Sequence, residues 1–182
     1  MAKLLVLGCG KKERPGNPGD TIITVDINEN VGADVVHNLD VFPWPFESGE
    51  FDVVHLDNVL EHLNNIVKTM EEIHRITKPN ATVTIIVPYF RSKWACVDPT
   101  HVHFFTVDTL SYFVAGHKYH ERYSYSPCKF KMHRKTFNEG IDQTWFQKLL
   151  IPFAEANLEF YENKISPIFP LETLTYHMET IK

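Results

Sequence analysis

Cysteine is scarce in this 182-residue sequence: Cys9, Cys96 and Cys128 are widely separated and form no CxxC pair. An odd, scattered set excludes a disulfide framework and offers no zinc-ligand spacing, which points to a reducing, cytoplasmic compartment. No apolar stretch reaches the roughly 18 residues of a membrane span. The first apolar run, behind a single lysine, is too brief for a signal peptide. Positive charge is in deficit, with 18 Lys and Arg against 23 Asp and Glu and a formal net charge of −5. That balance argues against bulk nucleic-acid binding and leaves only a local basic patch to consider. Two phosphate-binding signatures are also missing. No GKS or GKT follows the first apolar run, and Glu13 stands where a dinucleotide fingerprint needs its third glycine. With no internal repeat and an ordinary 43% hydrophobic content, the expectation is one domain over residues 1–182.

What is present begins with Leu4–Gly10 (LLVLGCG), a buried-type strand feeding a glycine turn, and Ile22–Asp26 (IITVD), a second strand ending in an acid. Such a turn lets a ligand approach backbone N–H groups without a side chain intervening. An aspartate at the tip of the next parallel strand can accept hydrogen bonds from ribose hydroxyls. Together they point to a nucleoside-containing cofactor. Five apolar runs read as strands of a largely parallel sheet: Lys3–Leu7, Ile22–Asp26, Asp34–His37, Phe51–Leu56 and Thr82–Val87. Between the first two, KKERPGNPGDT has two prolines and two glycines, too broken for a full crossover helix.

After the fourth strand, Asn58 and Glu61 have the spacing of a capping box. Leu60, Leu63, Val67, Met70 and Ile73 or Ile76 then form an apolar stripe of helical period that Pro79 and Asn80 stop. A second helix is predicted from a Thr106 cap to Gly116, and another within Asp142–Asn157. Tyr89 to Tyr125 reads as aromatic-rich loop. Lys129–Phe137 and Leu174–Ile181 alternate like strands and suggest an antiparallel pair at the sheet edge.

These segments, in this order, resemble the class I S-adenosylmethionine-dependent methyltransferases, and among them the small type 11 members with a shortened first helix. LLVLGCG resembles the family's first motif and IITVDIN its second strand with the ribose-binding acid. Val35–Leu63 resembles the run from the adenine-side loop to the fourth strand. HRITKPNATVTIIVPYF resembles the stretch before and through the fifth strand, and DPTHVHFFT is also similar to that group. Three positions depart from the pattern: Lys12 replaces a glycine, Asn80 and Ala81 replace a glycine pair, and the adenine-side loop reads Asn38-Leu39-Asp40. The resemblance implies a doubly wound, mostly parallel seven-stranded α/β sheet of order 3-2-1-4-5-7-6, with an antiparallel last strand and a reduced first crossover helix.

The same resemblance implies methyl transfer from S-adenosylmethionine to a small-molecule acceptor, such as a sugar or another hydroxyl. Gly8, Cys9 and Gly10 would flank the methionine part, Asp26 the ribose and Ile27 the adenine. Leu39 with Asn38 or Asp40 would border the base, and Asp57 and Asn58 would sit at the carboxyl edge of the sheet. A sulfonium methyl is already an activated electrophile, so transfer asks mainly for alignment and a dry pocket. A base is needed only when the acceptor carries a proton to be removed. The candidates are His101, His103 and His62. Alternation would point His101 and His103 in opposite directions, so one of them at most faces substrate. A metal built from Asp98, His101 and His103 lacks a further ligand, and none is expected.

Arg91 and Lys93 could meet an anionic acceptor, although surface charge is the default reading. An RNA or protein acceptor finds support only in the basic Lys118–Lys135 stretch. An inactive cofactor-binding or regulatory module is a further reading, and a nicotinamide oxidoreductase has little support. Oligomeric state is open, with a homodimer as one option.

Overall fold

The computed structural model describes residues 1–11 and 18–182. The broken first crossover, with Lys12 and Glu13, lies outside the described residues. Strands β1 (Lys3–Leu7), β2 (Thr21–Asp26), β3 (Val35–Val36), β4 (Phe51–Asp57), β5 (Thr77–Pro88), β6 (Lys129–Phe137) and β7 (Thr173–Ile181) join in one sheet. Its order is β3-β2-β1-β4-β5-β7-β6. The first five run parallel, and β7 is antiparallel to both of its neighbours. Order and polarity are those the resemblance implies. Leu5, Leu7, Val54, Leu56, Val83 and Ile85 in the central strands are fully buried. Near-continuous apolar strands of this kind are what a sheet covered on both faces requires. Among the described residues, no helix is long and apolar enough to cross a membrane.

The segment after β4 differs from the sequence expectation. Asn58 adopts a left-handed conformation, φ 55°, and caps no helix. Leu60–His62 form a single 3-10 turn. Helix α1 (Ile66–Ile76) begins later, with the Asn65 side chain accepting from the Lys68 N–H at 3.0 Å. The reason is local. Val59, Leu60 and Leu63 are all buried and Asn58 hydrogen-bonds its N–H to the Ile86 carbonyl, so the chain is pinned to the sheet before it can wind. The C-terminal end also moves. β5 starts at Thr77, directly after α1, so Pro79 and Asn80 lie inside a strand, with Asn80 at φ 63°.

Helix α1 holds the loop after β3. Arg75 forks onto Glu72 through Nε and Nη2, each at 2.8 Å, and reaches the carbonyls of Trp44 and Phe46. Glu72 in turn accepts from the Trp44 N–H at 2.8 Å, and the Trp44 indole donates to the Leu39 carbonyl at 3.0 Å. Burial alone would raise the Glu72 carboxyl, but Arg75 and the Trp44 N–H outweigh it and hold it below its ordinary value. A carboxyl depressed in the folded state contributes stability above its unfolded titration range, and that contribution is lost as pH falls through the folded value. Glu72→Gln should therefore cost about 1.5–3 kcal/mol at pH 7 and little at pH 3. Denaturant unfolding at the two pH values checks this; equal loss at both would remove the ionised Glu72 as the cause.

Between β5 and β6 the chain is more ordered than a loop reading suggests. Helices α2 (Trp94–Val97) and α3 (Lys118–Tyr123) are short turns of helix. The helix expected over Thr106–Gly116 is a 3-10 segment, Thr109–Phe113. Thr106 cannot cap it, because its own N–H donates to Thr109 Oγ1 and its carbonyl accepts the Tyr176 hydroxyl. Helix α4 (Trp145–Ala156) falls within the expected span and opens on a Thr144–Gln147 capping box.

Candidate active site

Strand register brings the motif residues to one edge. Leu7 of β1 pairs with Val25 of β2 and Leu56 of β4, so Gly8, Asp26 and Asp57 emerge together at the carboxyl end of the sheet. Open α/β sheets bind ligands at that edge. Asp26 ties the surrounding turns together: one carboxylate oxygen accepts from the Gly10 N–H at 2.8 Å and the other from the Asn28 N–H at 2.9 Å. Each oxygen keeps a second acceptor site. Gly8 is held at φ +62°, and a Cβ there would lie 2.3 Å from Val59 Cγ2. Only glycine fits, and its bare backbone becomes part of a wall.

That wall encloses a cavity of about 350 Å³ lined by Gly8, Asp26, Ile27, Asn38, Leu39 and Asp40, with His37, Asn58, Val59, His62 and Leu63 completing it. The volume lies within the usual range for cofactor pockets. An acid beside a side-chain-free turn, then an apolar slot formed by Ile27, Leu39, Val59 and Leu63, matches a ribose joined to a flat base. The residues present therefore fit an adenosyl group. Cys9 and Gly10 do not line this cavity: Cys9 is buried and donates its N–H to Val25, and Gly10 acts through Asp26. Asp40 accepts from both the backbone N–H and the side-chain amide of Asn64, and Asn38 accepts from the Asp40 N–H, so these two shape the loop as well as its lining. Asp57 lines a neighbouring cavity with Asn58, Ile86, Glu139, Gly140, Ile141 and Thr173.

A further cavity of about 430 Å³ adjoins the first and shares Asn58 and His62 with it. Glu61, Pro88, Trp94, Val97, Asp98, His101, Ile141, Glu172 and Thr173 form the rest of its lining. The segment that closes it is pinned at several points. The N–H groups of Val102 and His103 donate to the Glu61 carbonyl at 2.9 and 3.3 Å, and the Phe90 N–H donates to the Phe105 carbonyl. Buried Tyr176 holds the Thr106 carbonyl, and Glu162 accepts from the Val107 N–H at 2.8 Å. Burial raises the Glu162 carboxyl above its ordinary value.

Of the three histidines singled out, His62 and His101 line the second cavity and His103 does not. His103 is turned away, its Nε2 buried without a hydrogen-bond partner. The rings of His62 and His101 meet edge to face at 4.6 Å. The trio brought together is Glu61, His62 and His101, not Asp98, His101 and His103; its donor atoms lie within 4.8 Å of one another. Donors around a zinc ion with bonds near 2.1 Å stand about 3.4 Å apart, so this spread is open. Arg91 and Lys93 are absent from the lining; each lies over an aromatic ring, Phe90 and Trp94 respectively. Sequence reasoning missed Glu172 and Thr173. They arrive only through antiparallel pairing of β7 with β5, which sets Thr173 opposite Pro88. It also missed His37, Val59 and Leu63; of these, Leu63 was legible as part of an apolar stripe but assigned to packing.

No curated protein sequence matches the chain. A family model described as "Methyltransferase domain" matches residues 4–115. Among solved structures, the chain is similar to a SAM-dependent methyltransferase from Archaeoglobus fulgidus, at 20% identity and a TM-score of 0.60 over 98% of this chain and 86% of that one. It is similar to an S-adenosylmethionine-dependent methyltransferase from Mesorhizobium loti, at 13% identity and 0.57 over 98% and 90%. A Haloferax volcanii structure, the complex of the Trm112 methyltransferase activator with a methyltransferase, matches at 15% and 0.61 over 100% and 83%. At these identities the structural likeness carries the fold, and the family rests on the match over 4–115. With an adenosyl-shaped cavity at the carboxyl edge of this sheet, the chain belongs to the methyltransferase-domain family and is a class I S-adenosylmethionine-dependent methyltransferase.

Proposed function

We propose that the acceptor is a small molecule carrying a proton on its nucleophilic atom, a hydroxyl above all, seated in the 430 Å³ cavity. The observation that carries this reading is that the two cavities meet at Asn58 and His62. A methyl group held at that junction faces an acceptor on the other side. S-adenosylmethionine supplies an electrophilic methyl on a sulfonium, and the chain's task is alignment and exclusion of water.

The residues divide that task. Asp26 holds the ribose hydroxyls, while Gly8 gives close backbone approach. Asn38, Leu39 and Asp40 border the base, with Ile27 on the apolar side. Cys9 and Gly10 shape the turn beneath the methionine part, and Asp57 and Asn58 border its far end. Pro88, Trp94, Val97 and Ile141 give the acceptor an apolar surround. His62 and His101 are the groups placed to take its proton.

A macromolecular acceptor has weaker support. Within the basic stretch, Lys135 pairs with Asp108 at 3.1 Å, His133 with Glu179 at 3.1 Å and Arg134 with Glu139 at 3.4 Å. Much of its charge is thus met inside the protein. Incubation with S-adenosylmethionine labelled in the methyl group, together with pooled small metabolites, bulk RNA and bulk protein, separates the readings. Label is expected in the small-molecule fraction. Label in RNA with a steep salt dependence would favour the alternative.

A further inference from the structure

Inside that acceptor cavity, one imidazole differs from the other in how it is held. The Nδ1 of His62 lies 2.9 Å from Thr100 Oγ1, and that hydroxyl donates its only proton to Asp98 Oδ1 at 2.6 Å. Thr100 can therefore only accept from His62, which fixes the neutral ring as its Nδ1–H tautomer with the lone pair on Nε2. The Thr100 backbone N–H also donates to Asp98 Oδ1, at 2.8 Å. Hydrogen bonds from the Thr100 hydroxyl and then its N–H hold the Asp98 carboxyl below its ordinary value, so the end of the chain is ionised at neutral pH. His101 is held otherwise. Its Nδ1 donates to the Ala95 carbonyl at 3.1 Å, its side chain is only 8% exposed, and its Nε2 lies 4.0 Å from Glu61 Oε1. It packs as a wall against His62 and does not border the cofactor cavity.

We infer that His62 is the base for the acceptor proton, and that Thr100 and Asp98 are positioning residues that fix its tautomer and stabilise its protonated form. The inference rests on the proposed acceptor site. The acceptor atom forms its bond to the methyl carbon as the carbon–sulfur bond breaks, and the acceptor proton passes to His62 Nε2. Positive charge then arising on the ring is met through Thr100 by the Asp98 carboxylate. The arrangement follows the logic of a histidine oriented by a third group, with a hydroxyl as intermediary.

The test has two readouts. With histidine labelled by ¹⁵N and S-adenosylhomocysteine bound, the ring nitrogens of His62 should report an Nδ1–H tautomer. Thr100→Val should move it toward Nε2–H with the fold and cofactor affinity retained. An Nε2–H ring in the wild type, or a tautomer that Thr100→Val leaves unchanged, would overturn the inference. In labelled transfer to pooled metabolites, His62→Gln should slow the rate by about 100-fold and Asp98→Asn by about tenfold, at unchanged affinity for S-adenosylmethionine. Full activity in His62→Gln overturns the base and leaves the acceptor reading standing. Transfer that requires a divalent ion and stops with a chelator also overturns it, because a cation on Nε2 would occupy the lone pair. No label in small molecules, despite bound cofactor, overturns the acceptor reading and the inference with it.

Discussion

An alanine at Gly8 is expected to lower stability by about 2–5 kcal/mol and to remove measurable binding of S-adenosylmethionine. Two costs combine. A side chain at φ +62° occupies a strained region of backbone space, and the added Cβ would lie 2.3 Å from Val59 Cγ2. Val59 cannot retreat freely, because it is 8% exposed and belongs to the core that carries the turn from β4 toward α1. Whichever side gives way, the cavity wall that Gly8 and Val59 share is deformed. Thermal unfolding and calorimetric titration of the same preparation check both halves. A Gly8→Ala protein with wild-type affinity would show that the cofactor does not lie against this turn.

Asp26→Ala is expected to weaken S-adenosylmethionine binding by about 1.5–3 kcal/mol, a factor of roughly 10 to 150. The carboxylate joins the Gly10 and Asn28 N–H groups and still offers acceptor sites to a ribose diol. Its loss therefore removes a charged hydrogen bond to the ligand and also loosens the two turns that frame it. Asp26→Asn separates the effects: it preserves one acceptor and most of the shape but not the charge, and should fall between wild type and alanine. Unchanged affinity in Asp26→Ala would take the ribose away from β2.

Much of this site was legible because its elements announce themselves locally. Runs such as Leu4–Leu7 and Val83–Val87 are apolar without alternation, which suits buried parallel strands, and Gly8 and Asp26 sit at their ends by sequence alone. The sheet order followed from resemblance, since nothing in a single strand states its neighbour. Errors arose where tertiary contacts overrode local chemistry. Asn58 and Glu61 have capping-box spacing, yet burial of Val59, Leu60 and Leu63 draws the chain onto the sheet, and Asn65 caps instead. Thr106 looks like a cap, yet its carbonyl is claimed by Tyr176 from a distant strand.

The acceptor side was harder to read for the same physical reason. Trp94 and Glu172 meet through the indole N–H at 3.0 Å, and Thr173 stands opposite Pro88, contacts fixed by long-range strand pairing. No spacing in the sequence encodes them. His62 and Thr100 illustrate the point best. Each is an unremarkable polar residue until the Val102 and His103 N–H groups dock on the Glu61 carbonyl and bring the two within hydrogen-bonding distance.

Chemical-shift mapping of the labelled protein with S-adenosylhomocysteine tests the central claim most directly. Saturable perturbations should concentrate on the amides of Gly8, Asp26, Ile27, Leu39 and Val59, with His62 marking the boundary toward the acceptor cavity. A bound ligand whose perturbations lie elsewhere, with the carboxyl rim of β1 and β2 unmoved, would contradict the account.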